Sequence, residues 1–363
     1  MKFNNIAGTF VIDANASFLN GAGLGAGEDK TTVVIKKMKD GKHTIPYVST
    51  QSWKRWLRNT AVEENEWKKS EIKGIDVNDK GNTNKVAGDL NPILCPEDDI
   101  FGYMSAKSKE AQKNEKEEAK RIGIPKVRAV IRKSPFVATI LKSVKKTGVL
   151  TKDDAFVHIK NGSPVPYTTE FYNTCLEGLF CIECNRIGIF DNRGDRVELD
   201  DAKAYDYLNE GLIEVLDVDV ENESKGWKRY QLTNLEEQRK ERIAGILKAL
   251  SVLRGGAKQA AFGTDVAPKV IIMAPMQSAN PIFNNLFECD EKNNLKLKID
   301  VLKEILSDYK DRITGKVYIG IRKGYVSNEE EIKALKEIEN DLGLEFEIAS
   351  PIEVVNKFNE NEF

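Results

Sequence analysis

Two hydrophobic periods alternate along the chain. Inside Ile6 to Phe18 the run Gly8-Thr9-Phe10-Val11-Ile12 is apolar and β-rich, and it predicts a core strand that leads into the glycine-rich loop Asn20 to Gly27. Thr32 to Ile35 and Ile45 to Val48 read as short strands, and Asp40-Gly41 between them favours a hairpin turn. From Thr50 to Glu64 the period lengthens: Trp53, Trp56, Leu57, Thr60 and Ala61 share one face of a helix, with Ser49 as its N-cap. Lys54, Arg55 and Arg58 lie on the side away from the tryptophans, so the helix can bury one face and present three cations.

From Val62 to Ile124 the chain is polar. A Gly/Asn/Asp/Lys loop at 73–91 and a charged helical run from Ser105 to Arg121 read together as a surface insertion. Phe171 to Phe190 is rich in Phe, Leu, Ile and Cys, and predicts one or two buried strands kinked at Gly178. Asp191 to Thr233 is acidic and irregular, as a protruding hairpin or lobe would be. Leu235 to Leu253 then sets Ile243, Ile246, Leu247, Leu250 and Leu253 on one helical face and stops at Gly255-Gly256. A strand over Lys269 to Met273 follows. Strands at Lys316 to Ile321 and Phe346 to Ile348 then alternate with helices at Asn328 to Asp341 and Ile352 to Phe358. The sum is an α+β sheet with elaborations.

At 363 residues the chain exceeds the usual single domain, so two domains or one core with large insertions are expected. Lysine and arginine total 55 against 57 acidic residues. With no global positive field, any polyanion site must be local. Five cysteines, an odd number without framework spacing, point to a reducing compartment. The N-terminus carries a single basic residue, Lys2, and Asn4, Asn5, Asp13 and Asn15 break its apolar run, so it does not read as a signal peptide. No run approaches the roughly 18 apolar residues of a membrane span. A soluble, cytoplasmic protein with no membrane partner is expected.

Two segments have the chemistry of a local phosphate site. Glycines allow close approach and aim amides at a ligand, and a helix N-terminus offers unpaired N–H groups at the positive end of its dipole; Asn20 to Gly27 ahead of the Thr50 helix combines the two. The second segment is Gly255-Gly256-Ala257-Lys258-Gln259, either a plain helix cap or a turn that displays Lys258 and Gln259 to phosphate or sugar. Between them, Lys126, Arg128, Arg132, Lys133, Lys142, Lys145 and Lys146 occur among apolar residues with no acidic residue in the stretch. That run is either an edge strand guarded by cations or a patch that gains counterion-release free energy at each phosphate. Cys181 and Cys184 form a C-x-x-C, but neither Cys95, Cys175, Cys289 nor His43 and His158 supply a matching second pair. They are read as small buried hydrophobes, and no metal or cofactor is expected. No nucleophilic set of Ser, His and Asp or of Cys and His emerges.

Five separated stretches, taken in order, resemble one family: Val48 to Arg58, Ile100 to Met104, Arg132 to Phe136, Pro164 to Tyr172 leading to Gly178-Leu179-Phe180, and Gly255 to Gln259. They resemble the DevR-type backbone subunit of subtype I-B CRISPR Cascade complexes, in the RAMP superfamily, over nearly the whole chain. The resemblance implies a modified RRM or ferredoxin-like palm from residues 1–61, 124–185 and 236–363, a helical finger at 62–123 and a thumb-like hairpin at 186–235. It implies a non-catalytic protein that polymerises with copies of itself in a helical filament along crRNA, among other Cascade subunits, and meets target DNA through the guide. The implied crRNA contacts are Ser49, Gln51 and Lys54, with Arg55 and Arg58 beside them, Arg132 and Lys133, and Gly255, Gly256, Lys258 and Gln259.

Lys323-Gly324-Tyr325-Val326 is only a fragment of a ribonucleoprotein consensus, so binding through the RNA backbone fits better than base stacking. The alternatives are a metal-dependent target-RNA nuclease of the type III backbone kind, for which Glu28-Asp29 stands in a similar place, and a DNA-binding transcriptional autoregulator, for which no helix-turn-helix signature is found.

Overall fold

The computed structural model describes residues 1–26, 30–77, 83–88, 90–105, 117, 120, 128–157, 160–163, 165–221 and 226–363. Glu28, Asp29, Lys126, His158, the middle of the expected 73–91 loop and most of the charged run from Ser105 to Arg121 lie outside the described residues. The chain divides into two compact units: residues 1–60, 137–182 and 246–363 form the first, and 61–136 and 183–245 the second.

The first unit is built on a large sheet. Its strands are β1 (Asn5–Ser17), β2 (Gly21–Leu24), β3 (Thr32–Ile35), β4 (Lys37–Asp40), β5 (His43–Val48), β6 (Leu141–Ser143), β7 (Leu150–Val157), β8 (Val165–Glu183), β9 (Val270–Met276), β10 (Val317–Ile321) and β11 (Phe346–Ala349). The principal order is β11-β10-β9-β1-β8-β6-β5-β4; β7 and β3 also pair with β8, and β2 with β3. β1 and β9 run antiparallel, with Asn5 opposite Met276 and Val11 opposite Val270. Helices α1 (Thr50–Glu64), α3 (Ile299–Asp308) and α4 (Pro351–Glu362) belong wholly or mainly to this unit, and α2 (Leu235–Ser251) has residues 246–251 in it and 235–245 in the second.

Alternation along β1 explains why the sheet is buried on both sides. Ala7 and Val11 join Ile272, Ala274, Leu302, Leu306 and Phe346 in one cluster. Phe10 leaves by the opposite face and meets the ring of Trp53 in α1 at 5.3 Å. The sequence predicts a kink at Gly178, but β8 runs on through it. A Cβ there would lie 2.3 Å from Leu141 Cδ2, so the missing side chain makes room for β6. The glycine-rich stretch predicted as a loop is in part a strand. Gly21 to Leu24 pair with β3, with an irregular register between Gly21 and Gly23, because β3 supplies the ladder that glycine's own low strand propensity does not favour.

One buried carboxyl in this unit carries a pH signature. Glu177, on β8 opposite Lys142, is pushed up to about 7 by burial, against the opposing pull of the Leu286 N–H and of Lys142 and Lys298. The folded chain therefore holds a proton that the unfolded chain gives up near 4.5, and stability falls as pH rises between those values. Glu177→Gln keeps an acceptor for Leu286 and removes the buried charge. It is expected to raise the unfolding free energy at about pH 8 by on the order of 1–3 kcal/mol, seen as a higher urea midpoint, and to leave both nearly unchanged near pH 4. Equal midpoints at pH 8 would contradict this account.

The second unit has its own core of Phe190, Leu199, Tyr207, Ile213, Tyr230 and Leu232. A three-stranded sheet orders 189–191, 228–232 and 213–218, and the helix Asp201–Asn209 is capped by the Asp200 carboxylate. Residues 186–235 thus contain a hairpin, but one joined to a third strand and a helix. The segments read as separate finger and thumb insertions fall within this single unit.

Candidate nucleic-acid interface

Within the first unit the packing of α1 brings together residues far apart in the chain. The Ser49 carbonyl accepts the N–H groups of Ser52 and Trp53 at 3.0 and 3.3 Å and opens the helix. Its own N–H donates to Asn20 Oδ1 at 2.9 Å, which pins the start of the glycine-rich stretch to the start of α1. Its hydroxyl is bonded to that of Ser52 at 2.8 Å. Trp53, Leu57 and Ala61 are fully buried, and the Trp53 indole N–H donates to the Thr139 carbonyl at 2.7 Å.

Trp56, one turn along, is the seat of the second glycine segment. Gly255 has φ +152°, and a Cβ on it would fall 2.3 Å from Trp56 Cγ, so only a glycine backbone can come this close. The Thr60 hydroxyl donates to the Arg254 carbonyl at 3.3 Å and accepts from the Arg254 N–H at 3.1 Å. The Ala257 N–H donates to the Leu19 carbonyl at 3.0 Å. Leu19-Asn20, Ser49 to Thr60 and Arg254 to Ala257 are therefore one assembly.

Beyond the glycines, Lys258 sits in the left-handed region with φ +51°. Its ammonium donates to Thr169 Oγ1 at 3.2 Å and lies 4.8 Å from the centre of the Phe18 ring. The Gln259 amide donates back to the Gly255 carbonyl and closes the turn. Phe262 stacks on Phe18 at 6.2 Å. Gln51 and Arg55 are exposed on α1, Lys54 and Arg58 half-buried. Arg55 has no ion-pair partner among the described residues. Burial pulls the Lys54 ammonium down to about 8; having lost much of its water already, it would gain from a neighbouring phosphate. Cations of this kind beside a glycine turn can hold a polyanion backbone while making no contact with base edges.

In the stretch read as either a guarded edge strand or a basic patch, several described cations are committed to protein partners. Arg132 is a core residue of the second unit, 2% exposed. Its guanidinium donates to the Asp99 carboxylate and, at 2.9 Å each, to Glu198 Oε2 and the Ile189 carbonyl, and it lies 4.6 Å over the Phe190 ring. The expectation of an RNA contact at Arg132 meets a guanidinium already committed, since five donor bonds from it go to protein oxygens. Arg128 is committed likewise, gripping the Asp201 carboxylate at 2.9 and 2.6 Å. Lys142 stands opposite Glu177, and Lys146 pairs with Asp40 at 3.2 Å. Lys133 alone of the two assigned residues is exposed, in the second unit. Gln259 serves the turn itself. Cys181 and Cys184 are buried, at 2% and 0% exposure, consistent with small apolar side chains.

Sequence reasoning missed Thr169 and Glu170. Glu170 is buried and accepts from the Ile35 N–H at 3.3 Å and the Lys37 ammonium at 2.8 Å. Their only signal was membership of the Pro164 to Tyr172 stretch.

Residues 9–294 match the family described as CRISPR-associated negative auto-regulator DevR/Csa2. Comparison with curated proteins finds no match. Two solved structures are similar over 99% of this chain and 100% of their own. One, titled CRISPR RNA-guided surveillance complex, is 12% identical with a TM-score of 0.50. The other, the same kind of complex in a pre-nicking state, is 11% identical with a TM-score of 0.54. At such identities the likeness is one of fold.

Proposed function

The chain belongs to the CRISPR-associated DevR/Csa2 family, and from that premise we propose that it is a backbone subunit of a Cascade complex of subtype I-B, binding crRNA through phosphate contacts and leaving its bases to pair with target DNA. The observation that carries this reading is the seating of Gly255 on Trp56, which ties the glycine turn that bears Lys258 to the helix that bears Gln51, Lys54 and Arg55. Such a surface suits a guide whose sequence is read by base pairing while the protein senses charge and shape.

The palm fits the order β9-β1-β8-β6, with α1 following β1 and α2 following β8, which is the strand order of a ferredoxin-like split βαβ unit. The second unit would supply the finger and thumb. Polymerisation along the guide would use exposed apolar side chains, and β7 with its partner half of β8 carries three: Phe156, Val157 and Tyr167 are 60%, 48% and 42% exposed. Binding rather than cleavage is proposed.

Expression with the cognate repeat-spacer RNA tests the whole. A protected guide should copurify in a complex that salt dissociates, and magnesium or manganese should leave a complementary RNA intact. Regular cuts abolished by Asp29→Ala would favour the nuclease. Preference for promoter duplex over guide would favour the auto-regulatory role that the family description names.

A further inference from the structure

We propose that Thr169 is a positioning residue for guide binding, aiming the Lys258 ammonium at the RNA backbone, and that the β8 run containing it sets the spacing between the two glycine segments. This rests on the reading above. Successive side chains leave a strand on opposite faces. Thr169 holds Lys258 from one face at 3.2 Å. From the other, Glu170 holds the strand that leaves the first glycine segment, through Ile35 and Lys37. The same stretch is fixed by parallel pairing of Thr168 and Thr169 with Thr32 and Val33 of β3, and Phe171 adds a ring contact to Phe262 at 5.8 Å.

Lys258 needs such a guide. A lysine has a long, flexible stem, and its residue stands in a left-handed conformation at the mouth of a glycine turn. Thr169 is 5% exposed, so its hydroxyl has little water to compete for the ammonium. Held by one hydroxyl and one ring, the lysine keeps donors for a phosphate.

Thr169→Val keeps shape and branching and removes the hydroxyl. It is expected to weaken guide RNA binding about three- to tenfold and to move the salt dependence of binding toward that of Lys258→Ala, a change that a loss of stability would not produce. Thr169→Ser should restore the affinity. In a Lys258→Ala background Thr169→Val should cost nothing further. Amide exchange of residues 255–262 in the RNA-free protein should quicken in the Val variant, a readout that does not depend on guide binding. If the wild type binds guide and the Val variant binds equally well, the positioning role is refuted. If the wild type fails to bind any guide, the functional reading falls, and this role with it.

Discussion

Asp99→Ala is expected to cost the second unit about 3–5 kcal/mol, because it leaves the buried Arg242 guanidinium without its countercharge and the buried Arg132 guanidinium with Glu198 alone. Asp99 is itself fully buried. It accepts from Arg132 on one oxygen, and on the other from Arg242 at 2.6 Å and from the Gly188 N–H at 2.9 Å. Arg242 also donates to the carbonyls of Pro92 and Ile93, both at 2.9 Å. One carboxylate therefore ties together four stretches of chain within the second unit. Hydrogen exchange read by mass spectrometry provides the check. Peptides from 90–105, 128–136 and 183–245 should lose protection in the variant, while β9 in the first unit keeps its own. Retained protection in all of them would mean that the buried charges are compensated by something other than Asp99.

The second large effect concerns RNA. Removing three cations together, Lys54→Ala, Arg55→Ala and Lys258→Ala, is expected to lower guide affinity about a hundred- to a thousandfold at roughly 0.1 M salt and to reduce the slope of log affinity against log salt by about 2, since each single-strand phosphate contact contributes about 0.7. Guides of unrelated sequence should lose affinity alike, as phosphate contacts dictate. Filter binding across a salt series measures both quantities. A loss confined to some guide sequences would point to base readout instead. Arg55 and Lys258 are exposed and Lys54 half-buried, so unchanged circular dichroism of the triple variant is the control that assigns the loss of binding to charge.

What could be read in the sequence was the local periodicity. α1 begins and ends where Trp53, Leu57 and Ala61 place it, and β9, β10 and β11 appear within a few residues of their predicted spans. Local pattern cannot identify a partner that arrives from elsewhere in the chain. Arg132 reads as a surface cation because its own neighbourhood is basic; Asp99 and Glu198, which neutralise it, stand 33 and 66 positions away. Residues 62–123 and 186–235, far apart in the chain, share one compact unit for the same reason, since Asp99, Arg128, Arg132, Glu198, Asp201 and Arg242 come from both segments and their flanks. The second glycine segment was legible as a motif, but its seat on Trp56 was not. Glycine advertises only the absence of a side chain, and what fills that space is decided by the fold.

The pairing of β1 with β9 also constrains how the protein is made. On the edge that faces β9, Val11 pairs with Val270 and Asn5 with Met276, so most of the chain must leave the ribosome before that edge can close. At roughly 5–20 residues per second the wait is on the order of tens of seconds. Throughout it a strand apolar on both faces stands open to neighbours on the polysome. Yield in a heterologous host should therefore depend on chaperone supply and growth temperature more than on codon choice near the start of the message.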